Sequence, residues 1–262
     1  KGLESIDGEL KILPDVLYSR LPTDLRDQLK YAAIGGPSIA GELAARHHTN
    51  VVFVSRDESI LPYLQSLFAT PYYHVWTSTD MLGVELCVAL KNPIALAVGL
   101  AAGVLEKKAR EGGADPVDTR MYNFAAGVFA QGLTEMAYIV HLMGGRPETI
   151  YSLPGAGDLF VTSMGGRNQR MGRYLGMGMP YSEAVEEMPG ETIEGVDATI
   201  AIMPAIEQMI STGKMEEDAL PMLRETFASR GRLMACLIAA SSSVPPPPRC
   251  PSIKRIALEL FC

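Results

Sequence analysis

At about Met81 the chain stops reading as strands and starts reading as helices, and that change constrains the fold more than any other feature. Before it, Val51-Val-Phe-Val54 and Tyr72-Tyr-His-Val-Trp76 are short β-branched or aromatic runs bounded by polar residues, the signature of buried strands. Between them Leu61, Leu64, Leu67 and Phe68 recur at helical spacing, so strand and helix alternate as they do at the tail of a parallel sheet. After it come long Ala-, Leu-, Met- and Gly-rich segments at 83–110, 121–143, 168–177, 181–188, 194–212 and 217–230, which predict an all-helical domain. The division is therefore α/β over residues 1–80, helical over 81–235 and a low-complexity tail over 236–262. Within the tail, 241–252 carries four consecutive prolines and reads as extended and solvated, and 253–262 as a short amphipathic turn.

Composition bounds the function. The 262 residues are 47% hydrophobic and 20% charged, enough for a sizeable core. A net charge of −7 argues against general nucleic-acid binding, so any anionic ligand must be met by locally concentrated cations. The longest apolar run, Pro93 to Leu105, is shorter than the ~20 residues that span a bilayer and reads as a buried helix. The opening Lys-Gly-Leu-Glu turns polar at once and is no signal peptide, and Cys87, Cys236, Cys250 and Cys262 lack metal-ligand spacing. Reduced thiols in a cytoplasm are the expectation. His47 and His48 are adjacent, so on a helix they diverge, and His74 and His141 stand alone; no metal is expected.

Three segments carry chemistry. Gly155-Ala-Gly-Asp158-Leu-Phe-Val-Thr162-Ser-Met-Gly-Gly166-Arg167-Asn168 joins a carboxylate, a hydroxyl, a guanidinium and an amide to four glycines. A guanidinium fork beside backbone N–H groups freed by glycine suits a phosphate. In Leu90-Lys91-Asn92, Lys91 is the sole charge between Glu85 and Glu106. A lysine in so apolar a run either snorkels or loses hydration, and desolvation suits an ammonium that must give up and regain a proton. Asn92 followed by Pro93 predicts a helix start that sets Lys91 at a helix mouth. The third segment, Tyr31 to Glu42, reads as strand, glycine turn and helix. Gly36 and Gly41 have the spacing of a Walker A loop, but Glu42 stands where that motif needs lysine, which excludes a kinase or ATPase of that type.

Taken in order, Lys1-Gly2, Gly36-Pro37-Ser38-Ile-Ala40-Gly-Glu42, Gly83-Val-Glu85, Leu90-Lys91-Asn92, Gly132-Leu-Thr-Glu135-Met136, Gly157-Asp158-Leu159, Gly166-Arg167-Asn168 and Glu194-Gly195-Val196 resemble the soluble NAD(P)-dependent glycerol-3-phosphate dehydrogenases over residues 1 to about 225. The resemblance implies an α/β remnant of a Rossmann-type dinucleotide-binding domain followed by an all-helical substrate domain. The family's Gly-x-Gly-x-x-Gly fingerprint appears nowhere in the chain, Gln131 replaces an arginine, and residues 105–122 are longer and more charged than the family loop.

By the same resemblance Lys91 is the catalytic acid and base. Lys1, Gly36, Ser38, Asp158, Thr162, Gly166, Arg167 and Asn168 bind the substrate, and Lys1, Ala40, Arg167, Thr192 and Glu194 approach the cofactor, NAD or NADP. The expected partners are a small phosphorylated substrate and a second copy in a homodimer, with no nucleic acid and no membrane. Two other readings stand beside this one: a hydroxyacid dehydrogenase with a helical C-terminal domain, and a non-catalytic fragment that binds a phosphorylated metabolite.

Overall fold

A computed structural model describes residues 2–6, 9–26, 28–112, 122–224 and 226. Strands β1 (Leu3–Ile6) and β2 (Glu9–Ile12) form an antiparallel pair with Leu3 opposite Ile12. Helix α1 (Leu13–Ser19), with Pro14 in its first turn, and the single turn α2 (Thr23–Arg26) lead to β3 (Ala33–Gly35). Then follow α3 (Ala40–Ala44), β4 (Thr49–Val54), α4 (Leu61–Phe68) and β5 (Tyr73–Ser78).

These strands make a sheet in the order β3-β4-β5. As expected of a parallel tail, β4 and β5 run parallel with α4 between them in sequence. The expectation fails for β3, which pairs antiparallel with β4. The five-residue α3 is about 8 Å long, too short to return the chain along a six-residue strand of roughly 20 Å. Alternation then gives the sheet two faces. Val51, Phe53 and Val75 pack with Leu64 of α4, while Val52 and Val54 join the cluster that holds Met81, Val84 and Val88.

Those last three residues open α5 (Met81–Glu111), the 31-residue axis of the molecule. Asp80 caps it, accepting the Gly83 N–H at 3.0 Å. This corrects the sequence reading of Asn92-Pro93: both lie inside α5, and Lys91 sits in mid-helix, not at a mouth. Pro93 removes one backbone bond, but Leu90 and Ile94 on either side are fully buried, and their packing keeps the helix continuous. The helix is consequently long and apolar enough to cross a bilayer by length and composition. Seventy-eight per cent of its most apolar window is buried inside the protein, as in a core helix.

The remaining helices are α6 (Tyr122–Leu142), α7 (Asp158–Ser163), α8 (Arg167–Gly176), α9 (Tyr181–Glu186) and α10 (Glu194–Ser211). Leu86, Leu90 and Ile94 of α5 meet Met136 and Ile139 of α6 and Ile202 and Ile206 of α10 in the main core. The α5–α8 contact is made by backbone. A Cβ on Gly99 would stand 2.0 Å from the Gln169 carbonyl oxygen, and one on Gly172 2.0 Å from that of Leu96. Gly103 and Gly176 repeat the pattern one turn on, against Arg173 and Leu100. Of the helix expected over 217–230, residues 221–224 are helical and 217–220 are not; residues 113–121 of the charged 105–122 stretch and the 236–262 tail lie outside the described residues.

The histidines also differ from expectation. His47 and His48 are in the irregular connection after α3, not on a helix, and His74 is not isolated, because it shares a hydrogen bond with His48. Cys87 is buried, and burial pushes its thiol well up, which leaves it unreactive.

Candidate functional site

Lys91 Nζ reaches Asp158 Oδ1 at 2.5 Å, with side-chain exposures of 17% and 5%. The family resemblance implies that Asp158 holds the Lys91 ammonium or a substrate hydroxyl, and the structure pairs the two side chains directly. Asp158 is the first residue of α7, delivered by the π-type turn Leu153–Gly157. Gly155 permits that turn: a Cβ there would stand 2.0 Å from the Ile150 carbonyl oxygen, so this glycine serves the chain's own packing and does not cradle a ligand.

The second motif reaches the pair from the side. A Cβ on Gly157 would lie 3.7 Å from Pro37, so the Gly36-Pro37 loop abuts the turn before Asp158. Gly36 is buried at φ +107°, a conformation that favours glycine. Ser38 and Ala40 follow it, exposed at the start of α3. Thr162 faces back along α7, its hydroxyl donating to the Asp158 carbonyl at 2.6 Å, so its proton is committed and its lone pairs are what it can offer. Lys1 lies outside the described residues; Gly2 beside it donates its N–H to the fully buried Glu85 at 3.1 Å.

At the start of α8 the anion-binding residues divide into two kinds. Arg167 is half-exposed, and its fork is engaged by Glu194: Nε donates to Oε2 at 2.7 Å, and Nη2 bonds Oε1. Thr192 adds its hydroxyl to the same carboxylate at 3.3 Å. The Arg167 bonds hold Glu194 below the usual carboxylate range against the opposing effect of its burial. Asn168, by contrast, is 2% exposed. Its Nδ2 donates to Asn92 Oδ1 at 3.0 Å and its Oδ1 accepts the Gly195 N–H at 2.8 Å, tying α8 to α5 and α10. Gly195 is required there, since a Cβ would come within 2.7 Å of the Asn92 carbonyl oxygen. Asn92, read from sequence as a helix cap, is instead one end of this bridge.

One buried acid escaped the sequence reading of the site. Glu135 of α6 accepts from Gln131 and from the Met222 and Leu223 N–H groups, capping the helical turn at 221–224. Burial pushes it up to about 7 against those bonds. Among the described residues no three His, Cys, Asp or Glu converge on a metal-sized site.

An α/β sheet leaning on a long core helix, with a half-buried lysine paired to a buried aspartate near an arginine-bearing helix start, defines a two-part architecture of a small sheet and a helical domain. Residues 80–226 match the family described as the NAD-dependent glycerol-3-phosphate dehydrogenase C-terminus, and the chain belongs to that family. It is 36% identical over 188 residues to the NADP(+)-dependent glycerol-3-phosphate dehydrogenase of Archaeoglobus fulgidus, covering 72% of this chain and 52% of that protein. It is 34% identical over 247 residues to the glycerol-3-phosphate dehydrogenase [NAD(P)+] of Bacillus subtilis, covering 88% and 65%. The chain thus spans between half and two thirds of the length of these relatives. Among solved structures, glycerol-3-phosphate dehydrogenase from Coxiella burnetii superposes with a TM-score of 0.67 at 28% identity, over 87% of this chain and 64% of that one. The enzyme from Saccharomyces cerevisiae, at 21% identity and TM-score 0.71, covers all of this chain and 66% of that one and shares the fold.

Proposed function

We propose that this chain carries the substrate-binding and proton-transfer half of an NAD(P)-dependent glycerol-3-phosphate dehydrogenase. The reaction interconverts dihydroxyacetone phosphate and sn-glycerol 3-phosphate, a glycerophospholipid precursor. The observation that supports the reading is the Lys91–Asp158 pair, a half-buried lysine on a buried aspartate, both inside the residues that match the family. Lys91 Nζ takes the proton from the C2 hydroxyl in the oxidising direction and returns it to the carbonyl oxygen in the reducing one. Asp158 fixes the ammonium and excludes a competing rotamer. Arg167 and the Gly166 backbone, with Asn168 behind them, hold the phosphate and so set C2 against Nζ. Arg167 does this by exchanging the Glu194 carboxylate for phosphate. Gly36, Ser38, Thr162 and Lys1 complete the substrate side.

The nicotinamide cofactor, NAD or NADP, supplies the hydride acceptor or donor when bound. The chain fits its nicotinamide end, where the half-exposed Arg167–Glu194–Thr192 group and Ala40 offer a guanidinium, a carboxylate, a hydroxyl and a small surface residue. The glycine fingerprint that cradles a pyrophosphate is not in this sequence. That absence favours one second reading for the chain taken alone: it binds the phosphorylated substrate and turns it over poorly. We place the protein in the cytoplasm as a homodimer, in line with its family resemblance. The net charge of −7 supports small metabolites over nucleic acid as its ligands.

Steady-state assays with dihydroxyacetone phosphate and unphosphorylated dihydroxyacetone test the reading, on this chain and on the complete gene product. Arg167→Ala in the complete protein is expected to lower kcat/KM about ten- to a hundredfold for the phosphorylated substrate, from the roughly 1.5–3 kcal/mol of a charge-assisted contact, and to change the other little. Equal losses on both substrates would remove Arg167 from the phosphate site.

A further inference from the structure

Outside that site, His48 Nδ1 and His74 Nε2 stand 2.8 Å apart. Their rings are parallel to within 2° with centroids 5.1 Å apart, so they meet edge to edge through one shared proton. The ladder explains the meeting. His74 is opposite Asn50 in the β4–β5 register, and His48 is two residues earlier on the same face, the diagonal neighbour across parallel strands. Asn50 in turn accepts from Trp76 Nε1 at 3.2 Å, so this end of the face is polar. Of the charged groups on the flanking segments, Arg46 holds its guanidinium over the Tyr72 ring, 6.0 Å from the centroid.

We propose that His48 and His74 form a two-histidine site for a late first-row divalent cation of the Zn(II) and Cu(II) class, with water completing the coordination. Imidazole nitrogen is a preferred donor for these ions. Two nitrogens at about 2.0–2.1 Å from a tetrahedral ion stand roughly 3.4 Å apart, so the pair has to open by about half an ångström and tilt. His48 is exposed and irregular, ahead of the first residue of β4, which leaves room for that adjustment. The cation takes the place of the proton that the two rings share. Bridging the starts of β4 and β5, the ion clamps their parallel pairing and raises the melting temperature by mass action.

Zn(II) titrated calorimetrically into tag-free protein tests the site, with His48→Ala, His74→Ala and His47→Ala beside the wild type. One Zn(II) per chain is expected to weaken at least about tenfold in His48→Ala and in His74→Ala, each losing one of two ligands, and to stay unchanged in His47→Ala. Cys236, Cys250 and Cys262 are common to all four proteins, so the comparison reads the histidines alone. An unchanged number and affinity of ions in either His48→Ala or His74→Ala overturns the proposal, as does equal loss in His47→Ala or no Zn(II) bound by the wild type. Both substitutions fall on a surface ladder, and circular dichroism confirms that the variants fold.

Discussion

Lys91 Nζ lies 2.5 Å from Asp158 Oδ1, and the contact joins the middle of α5 to the first residue of α7. Neither residue could be exchanged without regard to the other. Two charges taken out of water together stabilise a fold only while each satisfies its partner, and removing one leaves the other uncompensated.

Lys91→Met is therefore expected to act twice. In the complete enzyme kcat falls about 10²–10⁴-fold if Lys91 is the proton carrier. Stability falls too, by roughly 3 kcal/mol, because Asp158 loses its buried cation. From sequence alone, methionine in an apolar run predicts no loss of stability; the ion pair reverses that expectation. Lys91→Met/Asp158→Asn should recover most of the stability and none of the rate. Urea denaturation of the single and double variants, with kcat for each, separates the two effects; a single variant as stable as wild type would mean that the pair contributes nothing to folding.

Asn168→Ala is expected to destabilise by about 2 kcal/mol, since it strips a partner from the Gly195 N–H and from Asn92 together. Asn168→Asp keeps the acceptor for Gly195 but sets a carboxylate against Asn92 Oδ1, so it too destabilises. A double-mutant cycle with Asn92→Ala should return a coupling of about 1 kcal/mol. Strict additivity would show that the two amides do not depend on each other.

Much of this was legible in the chain. Val51–Val54 and Tyr73–Trp76 sit in β4 and β5 because buried strands leave apolar, β-branched runs, and the long helices fall on the Ala-, Leu-, Met- and Gly-rich segments. Lys91, Asp158 and Arg167 stood out by chemistry and family motif. The errors were local signals overridden by packing, as at Asn92-Pro93, or pairings between distant segments, as with Asn168 and Asn92. One further signal lies in the chain: glycines four apart at 99/103 and 172/176 mark a helix crossing at backbone contact.

That crossing makes a sharp contrast. Gly172→Ala puts a methyl 2.0 Å from the Leu96 carbonyl oxygen and must push α8 off α5, which places its cost at the upper end of the ~1–3 kcal/mol typical of overpacking, or beyond. Gly127→Ala, in α6 with open space around it, is expected to stabilise by about 0.5–1 kcal/mol. Thermal melts of the two variants should move in opposite directions. Because α8 carries Arg167, Gly172→Ala should also raise KM for the phosphorylated substrate, and an unshifted melting temperature would refute the close crossing.

Glu135 gives the fold a pH dependence whose sign is fixed. Its folded pKa, pushed up to about 7 by burial, lies above the ordinary value of 4.5. Between those values the folded chain holds a proton that the unfolded chain releases, so this group's contribution is greatest below pH 4.5 and is lost as pH rises through 7. At about 1.4 kcal/mol per unit, the loss is at most on the order of 3 kcal/mol. Glu106 and Glu194, both held below the usual range by arginines, act in the opposite sense in acid, so total stability does not isolate Glu135. The difference between wild type and Glu135→Gln does. Wild type should be favoured most near pH 5, and its advantage should shrink steadily to pH 7.5. A difference constant across that range would show that the N–H groups of Gln131, Met222 and Leu223 keep Glu135 ionised throughout.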